Sequence, residues 1–270
     1  MTFVVEEQVS MMKTGNRTIA VVLILVLYGV TIGAFYVTVV KSVTLYPSKD
    51  SYAWESVPKA NNGKSNNFEI TSFVGHNMRG WIEFNTSSIP ANAWIMFAQL
   101  RLRLWQKTTN DPPYGDSTGR VYGVYRVTEP WGEMTVTWAN QPQYTELHYS
   151  TSVIPLEQGG WFGPIVWMNW DITDIMIDWQ QGAPNYGLVV RDTQENTTLL
   201  YSTQFFTHDQ VPNQTYFPRL IVTYLNPLGV YIFAALIIIE SAILAVWIRK
   251  QRPSQQKSEL ANEVHDESKR

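Results

Sequence analysis

Carboxylates, imidazoles and large aromatic rings are the side chains here that could do chemistry. Asp171, Asp174 and Asp178 form the tightest acidic group, with Asp174 and Asp178 one helical turn apart. Paired carboxylates can carry out glycoside hydrolysis. Carboxylates at a helix start also cap it and meet the positive end of its dipole. That second role fits Asp171 and Asp174. Thr173 is a good N-cap residue type, Gly182 suits the C′ position, and Ile172, Ile175, Met176 and Trp179 then share one apolar face. His76, His148 and His208 are not at metal-ligand spacing and lie in no Ser/His/Asp setting. The chain has no cysteine, which excludes disulfides, thiolate metal sites and Cys nucleophiles. The expectation is a binding protein without a cofactor, not an enzyme.

The aromatic residues are the better candidates. Sugar C–H faces stack on aromatic rings while polar side chains fix their orientation. Ten of the eleven tryptophans lie between the two long apolar segments. Trp138, Trp170 and Trp179 fall on apolar faces of regular elements and are expected in the core. Trp105, Trp131 and Trp161 stand at strand ends or in loops, and Tyr114 lies in a long polar loop, 108–119. These four are the candidate exposed platform for a ligand. Packing in a β core is the competing role for each.

The elements that must position them read as antiparallel β. Ala98, Leu100, Leu102 and Leu104 alternate with Gln99, Arg101 and Arg103, the pattern of a half-buried strand with a basic outer rung. The stretch from Val121 to Pro142, VYGVYRVTEPWGEMTVTWANQP, reads as a strand, a break at Glu129–Gly132, and a second strand with Met134, Val136 and Trp138 on one side. Further strands are expected at 42–46, 68–72, 81–84, 166–170, 186–191 and 219–224, with one short helix from Thr173. The fold class is mainly β: an antiparallel, jelly-roll-like sandwich with one short helix.

Two apolar segments flank this region. Thr18–Val40 has 23 residues and no charge; Leu228–Ile248 has 21 and only Glu240. Each is long enough for a bilayer core of about 30 Å. The expected organisation is a cytoplasmic segment 1–17, a transmembrane helix 18–40, an external sandwich 41–227, a transmembrane helix 228–248 and a cytoplasmic tail 249–270. Lys13 and Arg17 precede the first helix, and Arg249, Lys250, Arg252 and Lys257 follow the second, which puts both termini inside. A cleaved signal peptide is the rival reading, but the apolar run exceeds a usual h-region and no A-x-A pattern follows Val40. Gly29 and Gly33 form a G-x-x-x-G suited to close packing. Glu240 needs protonation or a partner in lipid, and Tyr28 lies at matching depth on an antiparallel helix. Asn85, Asn196 and Asn213 begin N-x-[ST] sequons in the external region. That region holds 12 Lys/Arg and 16 Asp/Glu, net −4, which argues against nucleic acid as a partner.

The stretch VYRVTEPWGEMTVTWANQP closely resembles the signature of the DNRLRE domains, the repeat named after the archaeal disaggregatase. The resemblance runs in order through Asp50-Ser51-Tyr52, Arg79–Pro90, Ala98–Leu104, Asp171-Ile172-Thr173 with Trp179, Asn185–Arg191 and Pro218–Tyr224. It covers nearly all of 43–224. It implies a β-sandwich related to carbohydrate-binding modules, on a secreted or cell-surface protein of an archaeon or bacterium. Such sandwiches often hold structural calcium. Asp50, Asp111, Asp116 and Asp192 lie in or near loops, but no loop has a calcium-binding pattern, so no metal is assigned. The implied function is a membrane-anchored surface binding or adhesion protein for glycans. The alternatives are an accessory subunit of a membrane complex or surface layer, with membrane lipid and other subunits as partners, and a polysaccharide-processing enzyme.

Overall fold

The computed structural model describes residues 19, 22–37, 39–109, 120–147, 149–154, 167–209 and 214–251. Contacts separate a β unit, Lys41–Leu225, from a unit that holds two apolar helices.

Eleven strands make the β unit: β1 (Val40–Leu45), β2 (Pro47–Trp54), β3 (Asn67–Ser72), β4 (Met78–Phe84), β5 (Trp94–Thr109), β6 (Arg120–Arg126), β7 (Ser150–Ile154), β8 (Trp167–Asp171), β9 (Leu188–Asp192), β10 (Tyr201–Phe206) and β11 (Arg219–Leu225). They join in the order β1-β11-β5-β10-β3-β4-β9-β6-β7, with β2 added to β4 and β8 to β5. Between β3 and β4 only one pair remains, Thr71 with Met78. There the sheet turns over and faces itself as two layers. One layer is β2-β4-β9-β6-β7. The other is β3-β10-β5 with β8, β11 and β1.

Strand β5 spans the second layer. Its first part pairs with both β11 and β8, and its last residues pair with β10. Ala98, Leu100, Leu102 and Leu104 point inward and are almost fully buried, as the alternation predicts. They meet Ile82, Phe84, Tyr122, Val124, Leu188 and Val190 from the opposite layer. Two polar contacts cross the core. Trp170 Nε1–H donates to the Tyr122 carbonyl at 2.8 Å, and the Tyr122 hydroxyl donates to Thr203 Oγ1 at 2.7 Å. A buried indole or phenol needs such partners, because an unpaired buried donor costs about 1–3 kcal/mol. Gly80 is required where the layers touch: a Cβ there would lie 2.4 Å from the Phe68 ring.

Helix α2 (Thr173–Gln180) buries Ile175, Met176 and Trp179, the face expected of it. Ile172 holds the N-cap position and Thr173 is the first helical residue, not the N-cap; Asp171 Oδ1, one residue earlier, accepts the Thr173 N–H at 2.9 Å. Gly182 follows at φ +103, a left-handed value that favours glycine.

The second strand expected at 134–138 is absent. Strand β6 ends at Arg126, and the chain then makes a folded loop. The N–H groups of Thr135 and Val136 both return to the Gly132 carbonyl, and Asn140 Oδ1 accepts the Thr137 N–H ahead of a short 3-10 turn, Trp138–Asn140. Those local bonds consume the groups a sheet ladder would use. Trp138 is accordingly half-buried, not a core residue, with the Arg79 guanidinium 4.5 Å from its ring centre.

In the other unit, α3 (Pro227–Gln251) contains the one described helix long and apolar enough to cross a membrane, over Pro227–Arg249. The described part of α1, Val22–Val37, is shorter than the ~20 residues that a crossing needs. Within this unit Phe35 and Phe233 lie 4.6 Å apart, and Thr31 Oγ1 is hydrogen-bonded to Glu240 Oε1. Thr31, not Tyr28, is therefore the partner of the acid. Gly29 and Gly33 are exposed, and a Cβ on either would meet nothing within 4 Å. They do not form the seam with α3.

Trp170→Ala should destabilise the β unit by about 3–5 kcal/mol, as for large buried aromatics. Trp138→Ala should cost under ~2 kcal/mol. Chemical denaturation of the full-length protein in detergent, followed by fluorescence, distinguishes them. Equal costs would mean that Trp138 belongs to the core after all.

Candidate functional site

A two-layer sandwich has two outer faces, and here they differ. On the β2-β4-β9-β6-β7 layer, Trp81, Tyr125 and Val189 point outward but are buried. The loop 128–147 lies over them, and its Trp131 and Val136 complete a second apolar cluster. Trp131 is only 9% exposed, and its indole N–H donates to the Tyr186 carbonyl at 2.8 Å. It packs and does not present a free ring. Trp81 stands 6.4 Å from Trp131 and 5.9 Å from Tyr144. Arg79 ties the loop down by donating to Gln141 Oε1 at 2.8 Å, and is itself held by a two-pronged contact to Glu195, each arm 2.7 Å.

The outer face of the other layer carries no such cover among the described residues. The alternation of β5 puts Gln99, Arg101, Arg103 and Trp105 outward. Register sets Asn169 beside Arg101 and Trp167 beside Arg103 on one flank, and Arg219 beside Arg101 on the other. Three guanidinium groups consequently surround the Trp167 ring, at 4.8 Å for Arg219, 5.2 Å for Arg101 and 5.9 Å for Arg103. Arg103 also lies 3.9 Å from the Tyr216 ring. No carboxylate among the described residues pairs with any of the three. Arg101 donates to Asn169 Oδ1 and Arg219 to the Thr215 carbonyl, while Nε of Arg103 and of Arg219 has no partner. Trp105 is 36% exposed and stacks on Phe206 with ring centres 5.5 Å apart.

The same face continues along β10 and β3 into a groove of about 360 Å³. Glu69 lines it. Its Oε1 is bonded by the hydroxyls of Thr71 and Ser202, and Gln204 donates to its Oε2 at 3.1 Å. Trp54 and a stacked pair, Phe73 and His76 at 5.4 Å, line the groove walls. The Trp54 indole N–H has no partner among the described residues. Aromatic walls with a few fixed polar groups are the usual make-up of a small-ligand site. Glu69, Gln204, Trp167, Arg219 and Tyr216 were not singled out from sequence. For the four on strands the only signal there was period-2 alternation with unknown neighbours; Tyr216 sits in a short 3-10 turn, Gln214–Tyr216, and had none.

Among the expected platform residues, Trp105 lies on the open face and Trp131 does not. Tyr114 and Trp161 fall outside the described residues, as do Asn213, Asp111 and Asp116. Asn85 and Asn196 are both exposed, and Asn196 has a positive φ of 61. Asp192 is fully buried and paired with Arg120 at 2.7 Å, although burial still pushes its carboxyl above the usual range. Its oxygens are already used by Arg120 and the Gln194 N–H. The acidic group at α2 has structural duties too: Asp178 accepts the Tyr149 hydroxyl at 2.9 Å and lies 3.5 Å from Arg126.

A model of carbohydrate-binding module family 96 matches residues 41–223, the whole span of this sandwich. The match supports the carbohydrate-binding-module sandwich and a binding domain in place of a catalytic one; the narrower DNRLRE name is not part of it. No curated protein matches the chain. The ordered strands, the open aromatic face and the matched span agree: the chain belongs to carbohydrate-binding module family 96.

Proposed function

We propose that this chain is a membrane-anchored surface protein that binds a glycan on its open face, and that the glycan carries carboxylate or sulfate groups. The carrying observation is the set of three arginines around Trp167 with no carboxylate among the described residues to neutralise them. Guanidinium pairs bidentately with carboxylate and sulfate-like oxygens, which suits planar, directional recognition. Trp105 and Trp167 supply the ring surfaces for sugar C–H groups. The groove around Glu69 takes a neighbouring hydroxyl-rich unit, since a carboxylate accepts hydrogen bonds from sugar hydroxyls.

In this reading α3 anchors the protein and residues 18–40 make a second crossing, with both termini cytoplasmic. The Lys/Arg flanks support that orientation. A second reading, an accessory subunit of a membrane complex, draws on the exposed Gly29 and Gly33, which leave a smooth helix face for another membrane chain. Both readings share the external sandwich.

Binding of full-length protein in detergent to a panel of neutral and acidic polysaccharides tests the ligand. Acidic chains should bind, more weakly as salt rises. Arg103→Ala should weaken that binding about tenfold or more, the ~1.5–3 kcal/mol of a charge-assisted hydrogen bond. Equal binding to neutral and acidic chains, insensitive to Arg103→Ala, would refute an anionic ligand. Topology has its own test. External protease on intact cells should cut the sandwich and spare residues 1–17 and 249–270. Recovery of a mature chain that starts near residue 41 would show a cleaved leader instead of a second anchor.

A further inference from the structure

A second group of side chains is not among those that make the open face. Asp50 on β2, Glu133 in the loop 128–147, and His208 and Asp209 in the turn after β10 bring their ligand atoms together, all within 4.8 Å of one another. The Asp50 side chain is only 1% exposed. Its Oδ2 accepts the His208 backbone N–H at 2.8 Å, but its Oδ1 has no partner among the described residues. Asp209 Oδ2 is likewise buried and without a partner among the described residues. His208 Nδ1 lies 2.9 Å from Asp50 Oδ2, yet it is off the line of a good hydrogen bond. His208 Nε2 lies 3.7 Å from Glu133 Oε1.

Three carboxylates thus face one imidazole, with Asp50 buried and the other three half-buried. Two buried carboxylate oxygens there, Asp50 Oδ1 and Asp209 Oδ2, have no hydrogen-bond partner among the described residues, and an unpaired buried polar atom is costly. A bound cation would remove that cost. The imidazole narrows the choice of ion. Calcium takes six to eight oxygen ligands, whereas zinc binds His nitrogen with Asp or Glu oxygen in four-coordinate sites. A tetrahedral zinc with bonds of ~2.0–2.2 Å separates its ligand atoms by roughly 3.3–3.6 Å. The spacings here need only small side-chain adjustments to reach that.

We infer that Asp50, Glu133, His208 and Asp209 form a structural binding site for a zinc-class divalent ion. The ion ties together three parts far apart in sequence: one layer through β2, the other through the turn after β10, and the covering loop through Glu133. Metal binding in this position is coupled to folding, because the ligands assemble only in the folded chain.

The test uses tag-free full-length protein in detergent, stripped with EDTA and titrated calorimetrically with Zn²⁺, Mn²⁺ or Ca²⁺. Zn²⁺ should bind once per chain, at least about tenfold more tightly than Ca²⁺, and should raise Tm. Asp209→Asn, at a partly exposed position where folding is least at risk, should weaken Zn²⁺ about tenfold or more. His208→Gln should abolish the preference for Zn²⁺ over Ca²⁺. Absence of saturable Zn²⁺ binding, preference for Ca²⁺ in the unaltered protein, or unchanged Zn²⁺ affinity in both variants would each overturn the assignment.

Discussion

Strand β5 has to satisfy two demands at once. Successive side chains on a strand point to opposite faces. Ala98, Leu100, Leu102 and Leu104 are therefore held against the opposite layer, and Gln99, Arg101, Arg103 and Trp105 are held on the outside. Core and candidate site are two sides of one strand. A one-residue slip of its register would bury three charged or polar groups and expose four apolar ones. Pairing with β11 and β8 on its two edges fixes the register, and pairing with β10 extends the same face. The arginines around Trp167 are placed by the residues that build the core.

The opposite layer shows what happens when an outer face is not kept open. Trp81, Tyr125 and Val189 would be a large exposed apolar patch. The loop 128–147 covers them, and Trp131, Val136 and Tyr144 fill the space between. The two faces thereby differ: one is closed by a second core, and the other has no such cover among the described residues. Aromatic content alone would not separate them. What separates them is whether other side chains lie above each ring, as Trp131 and Val136 of the loop lie over Trp81.

Much of this was legible in the sequence where the signal is local. The β5 alternation and the apolar face of α2 both follow from period alone, 2 in the one case and 3.6 in the other. The segment 134–138 imitates the first pattern, but the turn at Gly132 and the Thr137–Asn140 bonds take its backbone groups. Long-range facts were not legible. Trp131 is buried because of Tyr186, 55 positions away, and Glu240 meets Thr31 from 209 positions away. The Arg–Trp167 cluster needs the register of three strands before its members become neighbours. The Asp50, Glu133, His208 and Asp209 group needs two layers and a loop.

The central claim is that the open face, and not the covered one, receives an anionic glycan. Arginine footprinting tests it most directly: phenylglyoxal modification of the full-length protein, read by mass spectrometry with and without saturating acidic polysaccharide. The account predicts that ligand protects Arg101, Arg103 and Arg219 while Arg126, on the other layer, reacts as before. Equal modification of the three with and without ligand, or protection confined to Arg126, would contradict it.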